Sequence, residues 1–228
     1  MSSQLVNIST SGAIEIGGVV SCDGPSNLGT LFVSHAHTDH LGGVRSQVKA
    51  GRTVYATAPT LDLATHVLRL KKTENLVQLD YGKPVELSDT TITAMPANHI
   101  LGAAQLLVEH RQGTVVYTGD FKQPNTPILS CDTLVIESTY GAPIYRRTDG
   151  EAEVALVDIV EKSLRKGPVT VHAYAAKVQE AMNVLAGFVD ADFILDDACF
   201  GVAEIYRKHG AKLPRYRSES LQTDLKDS

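Results

Sequence analysis

The chain has 228 residues, of which 43% are apolar and 21% are charged. It can therefore bury the core of one large domain, or of one domain and part of a second, which excludes intrinsic disorder. Its 26 acidic residues outnumber its 21 basic residues and leave a net charge of −5, so a globally positive surface is excluded and any binding of nucleic acid must be local.

The cysteines indicate a reducing compartment, and the hydropathy pattern indicates a soluble protein. Cys22, Cys131 and Cys199 are too few and too widely separated for a disulfide framework or a CxxC zinc knuckle. The sequence contains no run of 18 apolar residues, and its first residues, MSSQLVNIST, lack the basic start and the apolar stretch of a signal peptide. We therefore expect a soluble, cytoplasmic protein with no membrane partner.

The first half of the chain is predicted to be rich in strands. Short β-branched runs between turn residues predict strands at residues 13–20, 30–34, 53–56, 76–79, 90–94, 105–109, 114–118 and 133–137. The last two runs are apolar on both faces, as strands are when both sides of a sheet are covered. Apolar residues at helical spacing predict helices after Pro59 and from about Val154 to Leu164, the second of which ends at Gly167-Pro168.

The second half alternates in a way that is typical of a parallel βαβ arrangement. The pattern predicts a strand at 169–173, a helix at 178–188, a strand at 193–195 and a helix at 202–209. We therefore divide the chain into a core domain over residues 1–150, a second segment over residues 151–217 and a loosely ordered polar tail over residues 218–228. Two strands make a thin sheet with an unprotected edge, so the second segment looks incomplete.

The strongest chemical signal is the run Ser34-His35-Ala36-His37-Thr38-Asp39-His40, which follows an apolar strand. At a strand end His35 and His37 point to the same side, because side chains alternate with a period of two, and they can converge on one ion. Asp39 and His40 come from the following turn and can face a second ion. Imidazole and carboxylate groups are ligands that suit zinc and similar divalent ions. The alternative is a surface loop that happens to be rich in histidine.

Two further candidates follow predicted strands. His99 comes directly after the strand at 90–94, and Asp120 closes the strand at 114–118. Each is weak evidence alone, because an isolated histidine is usually structural and a Gly-Asp pair is usually a turn.

Together these motifs resemble the metallo-β-lactamase superfamily, and specifically its β-CASP branch of nucleic-acid-processing hydrolases. The resemblance is carried by HAHTDH at 35–40, HILGAAQ from His99, YTGDF around Asp120 and ESTYG from Glu137. The stretch AYAAKVQEAM at 173–182 is similar to the start of the β-CASP domain of archaeal mRNA 3′-end processing factors and exonucleases. The resemblance covers nearly the whole chain, from about residue 14 to residue 209.

The resemblance implies a fold, an αββα sandwich of two mixed sheets in an α/β (α+β) class, followed by a partial β-CASP-like βαβα segment. It also implies two zinc ions, with one ion possible and manganese as the alternative metal. In that interpretation the first metal is held by His35, His37 and His99, the second by Asp39 and His40, and Asp120 bridges them. Glu137 matches an acidic residue that supports the active site, so Asp39, Asp120 and Glu137 are the candidate catalytic carboxylates.

The implied activity is hydrolysis of phosphodiesters in RNA, or alternatively in single-stranded DNA. A water molecule between two divalent cations loses its proton near neutral pH, and the resulting hydroxide attacks phosphorus. The same cations offset the negative charge that builds up in the transition state.

The sequence departs from the family downstream of residue 180, where members of the branch supply further histidines. This chain has only His209 there, at a helix end, and we treat His209, His172, His110 and His66 as structural. By domain-size expectations the chain stops about 100 residues short of a complete member. We expect it to be naturally short with an incomplete second metal site, or a truncated or split product whose partner chain supplies the rest, or a non-catalytic relative. A homo-oligomer is the alternative to a partner chain.

Two other functions stay open on these grounds: an accessory or binding protein that retains the fold, and a small-molecule hydrolase acting on esters or thioesters, because the HxHxDH motif also serves those chemistries. The basic residues discriminate little between them. Small clusters occur at Arg69, Lys71 and Lys72 and at Arg146 and Arg147, and clusters of this kind are usually solvated. The C-terminal strip is the best candidate for contacts with phosphates, and its nucleic-acid-binding residues are predicted to be Arg207, Lys208, Arg215 and Arg217.

Overall fold

A computed structural model describes residues 4–145, 150–174 and 176–220 of the chain. It divides the chain into two compact units, Met1–Glu137 and Ser138–Ser228. The division therefore falls before residue 150, the boundary that the sequence predicts.

The first unit contains two β-sheets. The six-stranded sheet follows chain order and consists of β1 (Val6–Ile8), β2 (Ile14–Ile16), β3 (Val20–Cys22), β4 (Thr30–Phe32), β5 (Thr53–Ala56) and β6 (Leu76–Gln78). The five-stranded sheet, in spatial order, consists of β11 (Thr133–Val135), β10 (Gly113–Tyr117), β9 (Ala104–His110), β8 (Thr90–Pro96) and β7 (Pro84–Leu87). Strands β3 to β6 run parallel, and β7 to β10 are antiparallel neighbours.

The parallel connections explain the two helices of this unit. Helix α1 (Val44–Lys49) joins β4 to β5, and α2 (Ala58–Leu68) joins β5 to β6, because parallel strands need a crossover connection. Thr57 is the N-cap of α2, and its side chain accepts a hydrogen bond from the Thr60 amide; Pro59 lies in the first turn.

The core of the first unit forms two layers. One cluster joins the inner faces of the two sheets and includes Phe32 and Cys22 from the first sheet and Ile92 and Leu106 from the second. A second cluster packs the outer face of the six-stranded sheet against α1 and α2 and includes Leu31 and other apolar side chains. The described part of this unit therefore has a helix–sheet–sheet layering, and the predicted mixed α/β fold is confirmed.

The second unit is mainly helical. It contains α3 (Glu151–Leu164), α4 (Lys177–Ala186) and α5 (Asp197–Lys208), with a two-stranded parallel sheet of β12 (Phe193–Leu195) and β13 (Tyr216–Ser218). Helices α3 and α4 pack through Val157, Val160 and Leu185. Asp196 caps α5 by accepting a hydrogen bond from the Cys199 amide at 2.7 Å.

Two predicted strands are different in the structure. The run at 13–20 forms two antiparallel strands, because Gly17 and Gly18 adopt positive φ values of 63° and 69° and turn the chain between them. Residues 169–173 are described and are not a strand. Residues 169–172 of this β-branched run instead line a cavity of about 620 Å³ together with β12. Among the described residues no strand lies in hydrogen-bonding register with the run, so it has no ladder to join. Residues 218–220 are the only described part of the predicted tail, and Ser218 closes β13.

Candidate metal centre

The histidine run follows β4 as the sequence predicts, and its first histidine is buried between the sheets. The Ser34 carbonyl accepts a hydrogen bond from the Ala104 amide at the start of β9, 2.8 Å away, which joins the end of β4 to the opposite sheet. His35 is fully buried. The side chains that follow β4 therefore lie at the edge where the two sheets meet.

Three imidazole nitrogens converge at this edge. His37 Nδ1 lies 3.0 Å from His35 Nε2 and 3.1 Å from His99 Nε2. The Asp120 Oδ2 atom lies 3.9 Å from His35 Nε2 and 3.6 Å from His99 Nε2. Within the described residues these four side chains form a group whose ligand atoms all lie within 4.8 Å of one another.

This spacing fits a tetrahedral metal site. A zinc ion with nitrogen ligands at about 2.0–2.1 Å separates neighbouring ligands by about 3.3 Å, close to the two nitrogen–nitrogen distances here. The donor set of three nitrogens and one carboxylate oxygen is also one that zinc accepts. The residues present therefore fit a divalent cation.

Asp39 and His40 lie on the other side of Asp120. His40 Nε2 is 3.3 Å from Asp120 Oδ1 and 3.7 Å from Asp39 Oδ2. The Asp39 side chain is 79% exposed, and neither residue belongs to the compact four-residue group. The two oxygens of Asp120 thus face different histidines: Oδ2 faces His35 and His99, and Oδ1 faces His40.

Asp23 is a member of the site that the motifs of the sequence analysis do not include. Its buried carboxylate accepts hydrogen bonds from the Ser34 amide and hydroxyl, both at 2.7 Å, from the Tyr117 hydroxyl at 2.6 Å and from His40 Nδ1 at 2.7 Å. The available signal was an acidic residue directly after the buried strand β3. Asp23 has a φ of 56°, a conformation that aspartate tolerates better than most residues.

The same hydrogen bonds decide which nitrogen of the His35 ring carries a proton. The Ser34 hydroxyl donates to Asp23, so at 3.0 Å it can only accept from His35 Nδ1. His35 Nε2 is then left with a lone pair that faces the other histidines. Outer hydrogen bonds of this kind orient metal-binding imidazoles and make them more basic.

The electrostatics of the site shift the pKa values of His35 and His40 in opposite directions. Burial is the main cause that lowers the pKa of His35 to about 2, followed by the neighbouring imidazoles, while Asp120 opposes them. Burial also disfavours protonation of His40, but hydrogen bonds and charge attraction from Asp120 and Asp23 outweigh it and raise the pKa of His40 to about 10. The hydrogen bond from His40, acting against burial, lowers the pKa of Asp120 to about 2. At neutral pH His35 is therefore a neutral imidazole and Asp120 is a carboxylate.

The loop that carries His99 is anchored on both sides. The Gly102 carbonyl accepts hydrogen bonds from the hydroxyls of Thr57 at 2.6 Å and Thr60 at 2.9 Å. On the other side, the Asn98 carbonyl accepts from the Lys122 amide at 2.7 Å. His99 therefore has a defined position although it lies outside regular structure.

The remaining candidates lie apart from this cluster or in the other unit. Glu137 follows β11, and its amide donates to the Thr118 hydroxyl at 3.4 Å; its carboxylate is not in the four-residue group. Of the C-terminal strip, Arg207 contacts Glu204 at 3.4 Å and Arg217 contacts Asp192 at 3.2 Å. Lys208 and Arg215 are exposed on the second unit. Arg146 and Arg147 lie outside the described residues.

The other histidines lie outside the cluster. They are His66 in the last turn of α2, His110 at the end of β9, His172 beside the cavity and His209 at the C-cap of α5.

Among the described residues no helix has the length and apolarity needed to cross a bilayer.

Two facing sheets with a histidine–carboxylate cluster at their shared edge define a metallo-β-lactamase type of protein. The chain belongs to the family whose model is described as the beta-lactamase superfamily domain, which matches residues 20–188. The resemblance to this superfamily and to its archaeal β-CASP relatives is thereby confirmed.

Several curated proteins are similar to the chain. The transcription termination factor FttA of Methanothermobacter thermautotrophicus is 30% identical over an alignment of 237 positions, which covers 88% of this chain and 37% of FttA. RNase aCSPSF2 of Saccharolobus solfataricus is 27% identical and covers 71% of this chain and 39% of its own length. An Acidianus ambivalens protein, described as an uncharacterized protein in the lig 3′ region, is 43% identical over 58% of this chain and 98% of its own length. The chain thus spans less than two fifths of the length of FttA and RNase aCSPSF2.

A solved structure supports the fold alone. A protein of unknown function from Enterococcus faecalis V583 superposes with a TM-score of 0.53 at 17% identity, covering 83% of this chain and 51% of that one.

Proposed function

We propose that this chain is a metal-dependent nuclease that hydrolyses phosphodiester bonds in RNA, with zinc as the expected metal and manganese as the alternative. The observation that carries the proposal is the convergence of His35 Nε2, His37 Nδ1 and His99 Nε2 with an oxygen of Asp120. The names of FttA and RNase aCSPSF2 favour RNA over single-stranded DNA as the substrate.

The proposed roles follow from the geometry. His35, His37 and His99 would hold one cation, Asp39 and His40 a second, and Asp120 both, because its two oxygens face the two histidine groups. Bound cations would supply the Lewis acidity that activates water and offsets charge at phosphorus. The chain itself keeps His35 neutral by burial and orients His40 through Asp23. Asp39 and Asp120 are the carboxylates that would hold or accept protons near the reacting water. Glu137, which follows β11, would support the site from outside the four-residue group.

Two regions of the second unit belong to the same proposal. Residues 151–217 would be a partial β-CASP-like segment that follows, in the sequence, a core of residues 1–150. Arg207, Lys208, Arg215 and Arg217 would contact phosphates, although Arg207 and Arg217 already face Glu204 and Asp192. A partner chain or a second copy would complete the nucleic-acid surface.

Metal removal and one matched pair of variants test the proposal. The purified chain should lose RNase activity in EDTA and regain it with zinc or manganese, and should contain close to two metal equivalents. His99→Ala should lose metal and activity, whereas His66→Ala, which changes a histidine in α2 outside the cluster, should keep both. Activity that is indifferent to chelation would overturn the proposal.

A second candidate function is favoured by the 79% exposure of Asp39 and by the compactness of the other four ligands. The chain would then hold one metal and act as a binding or accessory protein. One metal equivalent together with no turnover on RNA, single-stranded DNA, thioesters or lactones would support this candidate over the nuclease.

A further inference from the structure

Six cations lie beside helices α1 and α2 of the first unit. They come from two segments, residues 44–52 and 68–75, which together hold six of the 21 lysines and arginines of the chain but one of its 26 acidic residues. We call this set the α1–α2 basic patch: Arg45, Lys49, Arg52, Arg69, Lys71 and Lys72. All six side chains are exposed except that of Arg52, which is half-buried.

Tertiary contacts bring the two segments together. The Arg45 guanidinium donates to the Leu68 carbonyl at the end of α2, 2.5 Å away and 23 positions along the chain. Toward the other end of the two segments, the Val54 amide donates to the Asn75 carbonyl at 2.9 Å. Arg45 and Lys49 are four positions apart in α1, so they share one face of the helix and lie about 6 Å apart along it. The patch is therefore a product of the fold and not of one basic run.

The patch is not neutralised by neighbouring carboxylates. Within the part of the chain that the structure describes, no carboxylate forms an ion pair with any of the six side chains. The acidic residue of the two segments, Glu74, accepts a hydrogen bond from the Thr73 amide at 2.9 Å. Two arginines of the C-terminal strip, by contrast, already contact carboxylates. The patch is therefore a locally positive surface on a chain whose net charge is −5.

The patch begins close to the metal cluster, in the same unit. Gly43 is the N-cap of α1, and its amide donates to the Asp23 carbonyl at 3.1 Å. The Asp23 carboxylate in turn contacts His40 at 2.7 Å. Arg45 follows Gly43 by two positions, so the patch starts within one helical turn of a residue that orients the site.

We propose that the α1–α2 basic patch binds the phosphate backbone of single-stranded RNA, an inference that rests on the proposed action on RNA and names a part of the chain that holds the strand. Lysine and arginine side chains contact phosphates without reading the bases, and each contact releases counterions from the strand. An exposed cationic surface without carboxylate partners favours a polyanion over an apolar or a basic partner.

Binding in EDTA tests this proposal without any cleavage. The full chain is titrated with a short labelled uridine oligomer at several salt concentrations. The double variant Lys71→Gln with Lys72→Gln removes two phosphate contacts, each of which contributes about 0.7 to the slope of log affinity against log salt on a single strand. The slope should therefore fall by about 1.4, and the affinity should fall about 25-fold near 0.1 M salt.

Control variants separate the patch from the overall charge of the chain. Lys83→Gln with Lys162→Gln removes the same charge from exposed lysines that are paired with carboxylates, and should keep the affinity and the slope of the parent. Lys71→Arg with Lys72→Arg keeps the charge and should bind as the parent does. Zinc titration and thermal melts of the glutamine pair at 71 and 72 should match the parent, because the patch contains none of the metal-binding candidates.

A deoxyuridine oligomer of equal length should lose affinity by the same factor, because the two strands carry the same phosphates. A loss confined to one of the two oligomers would contradict recognition of phosphate. Parent-like RNA affinity in the glutamine pair, or an equal loss in the control pair, would overturn the proposal. Loss of binding to phosphatidylserine vesicles with RNA affinity unchanged would overturn it too, and would identify the patch as a surface for anionic lipid.

The outcome is independent of the nuclease test. An RNA-binding chain that depends on the patch but cleaves nothing would refute only the proposed function. A nuclease whose RNA affinity is indifferent to the glutamine pair would refute only this inference.

Discussion

The Nδ1 atom of His40 lies 2.7 Å from Oδ2 of Asp23, although the two residues are 17 positions apart in sequence. The other nitrogen of the same ring faces Asp120 at 3.3 Å. His40 is thus held between a buried carboxylate that orients it and the carboxylate that we propose to bridge two cations.

Replacing Asp23 tests this orientation. Asp23→Asn should lower metal affinity at the His40 side of Asp120 by about 10- to 100-fold, because outer hydrogen-bond partners of metal-binding histidines have effects of that size. Titration of the chelated protein with zinc measures the loss. Asp80→Asn, which alters an exposed carboxylate paired with Lys83, is the control and should bind zinc normally. Tight binding of a second zinc ion by Asp23→Asn would contradict this account of Asp23.

Gly119 is predicted to be irreplaceable because of its neighbour Ser34. It has a φ of 55°, and an added Cβ would lie 2.7 Å from the Ser34 Cβ. Gly119→Ala should destabilise the fold by about 1–3 kcal/mol and weaken metal binding, since Gly119 directly precedes Asp120. Thermal melts with and without zinc measure both effects. Gly29→Ala introduces a methyl group with no atom within 4 Å and should melt close to the parent; an unchanged melt for Gly119→Ala would show that the contact relaxes freely.

The two threonines that hold the Gly102 carbonyl should matter for zinc as well as for stability. Thr60→Val removes one buried hydroxyl donor and should cost about 1 kcal/mol. Thr57→Val also removes the cap of α2 and should cost about 1–2 kcal/mol. Each should weaken zinc binding because the His99 loop loses an anchor. Thr91→Val, whose hydroxyl contacts the exposed Glu86, serves as the control, and zinc affinity equal to the parent's in both site variants would rule out the anchoring role.

The chelated protein should be most stable near pH 6.5. The pKa of His40 is raised from 6.5 to about 10. The contribution of His40 to the free energy of unfolding is therefore fully present below pH 6.5 and is lost as the pH rises toward 10. The pKa of His35 is lowered from 6.5 to about 2 in the folded chain. As the pH falls below 6.5, the unfolded chain therefore binds a proton before the folded chain does, and the free energy of unfolding falls. Urea unfolding in EDTA at pH 5, 6.5 and 9 measures both slopes, each at most about 1.4 kcal/mol per pH unit.

His40→Gln should flatten the alkaline slope and leave the acid slope in place. An unfolding free energy that rises between pH 7 and 9 in the parent chain would contradict the raised pKa of His40.

Much of the fold was predictable because its signals are local. The strand at 53–56 has the predicted bounds, and the strands that precede His35, His99 and Asp120 are where the apolar runs predict them. The predicted strand at 169–173 failed for the opposite reason: a strand needs a partner in register, and β-branched composition cannot supply one.

The sequence by itself determined the types of the candidate ligands, their order and their places after strands, because strand periodicity and motif spacing are properties of short segments. Only the tertiary structure decided that His99, 62 positions from His37, lies 3.1 Å from it. It also decided that Asp23 contacts both His40 and the Tyr117 hydroxyl. Those contacts join the ends of strands from two different sheets. They arise from the packing of the shared core, which no single segment encodes.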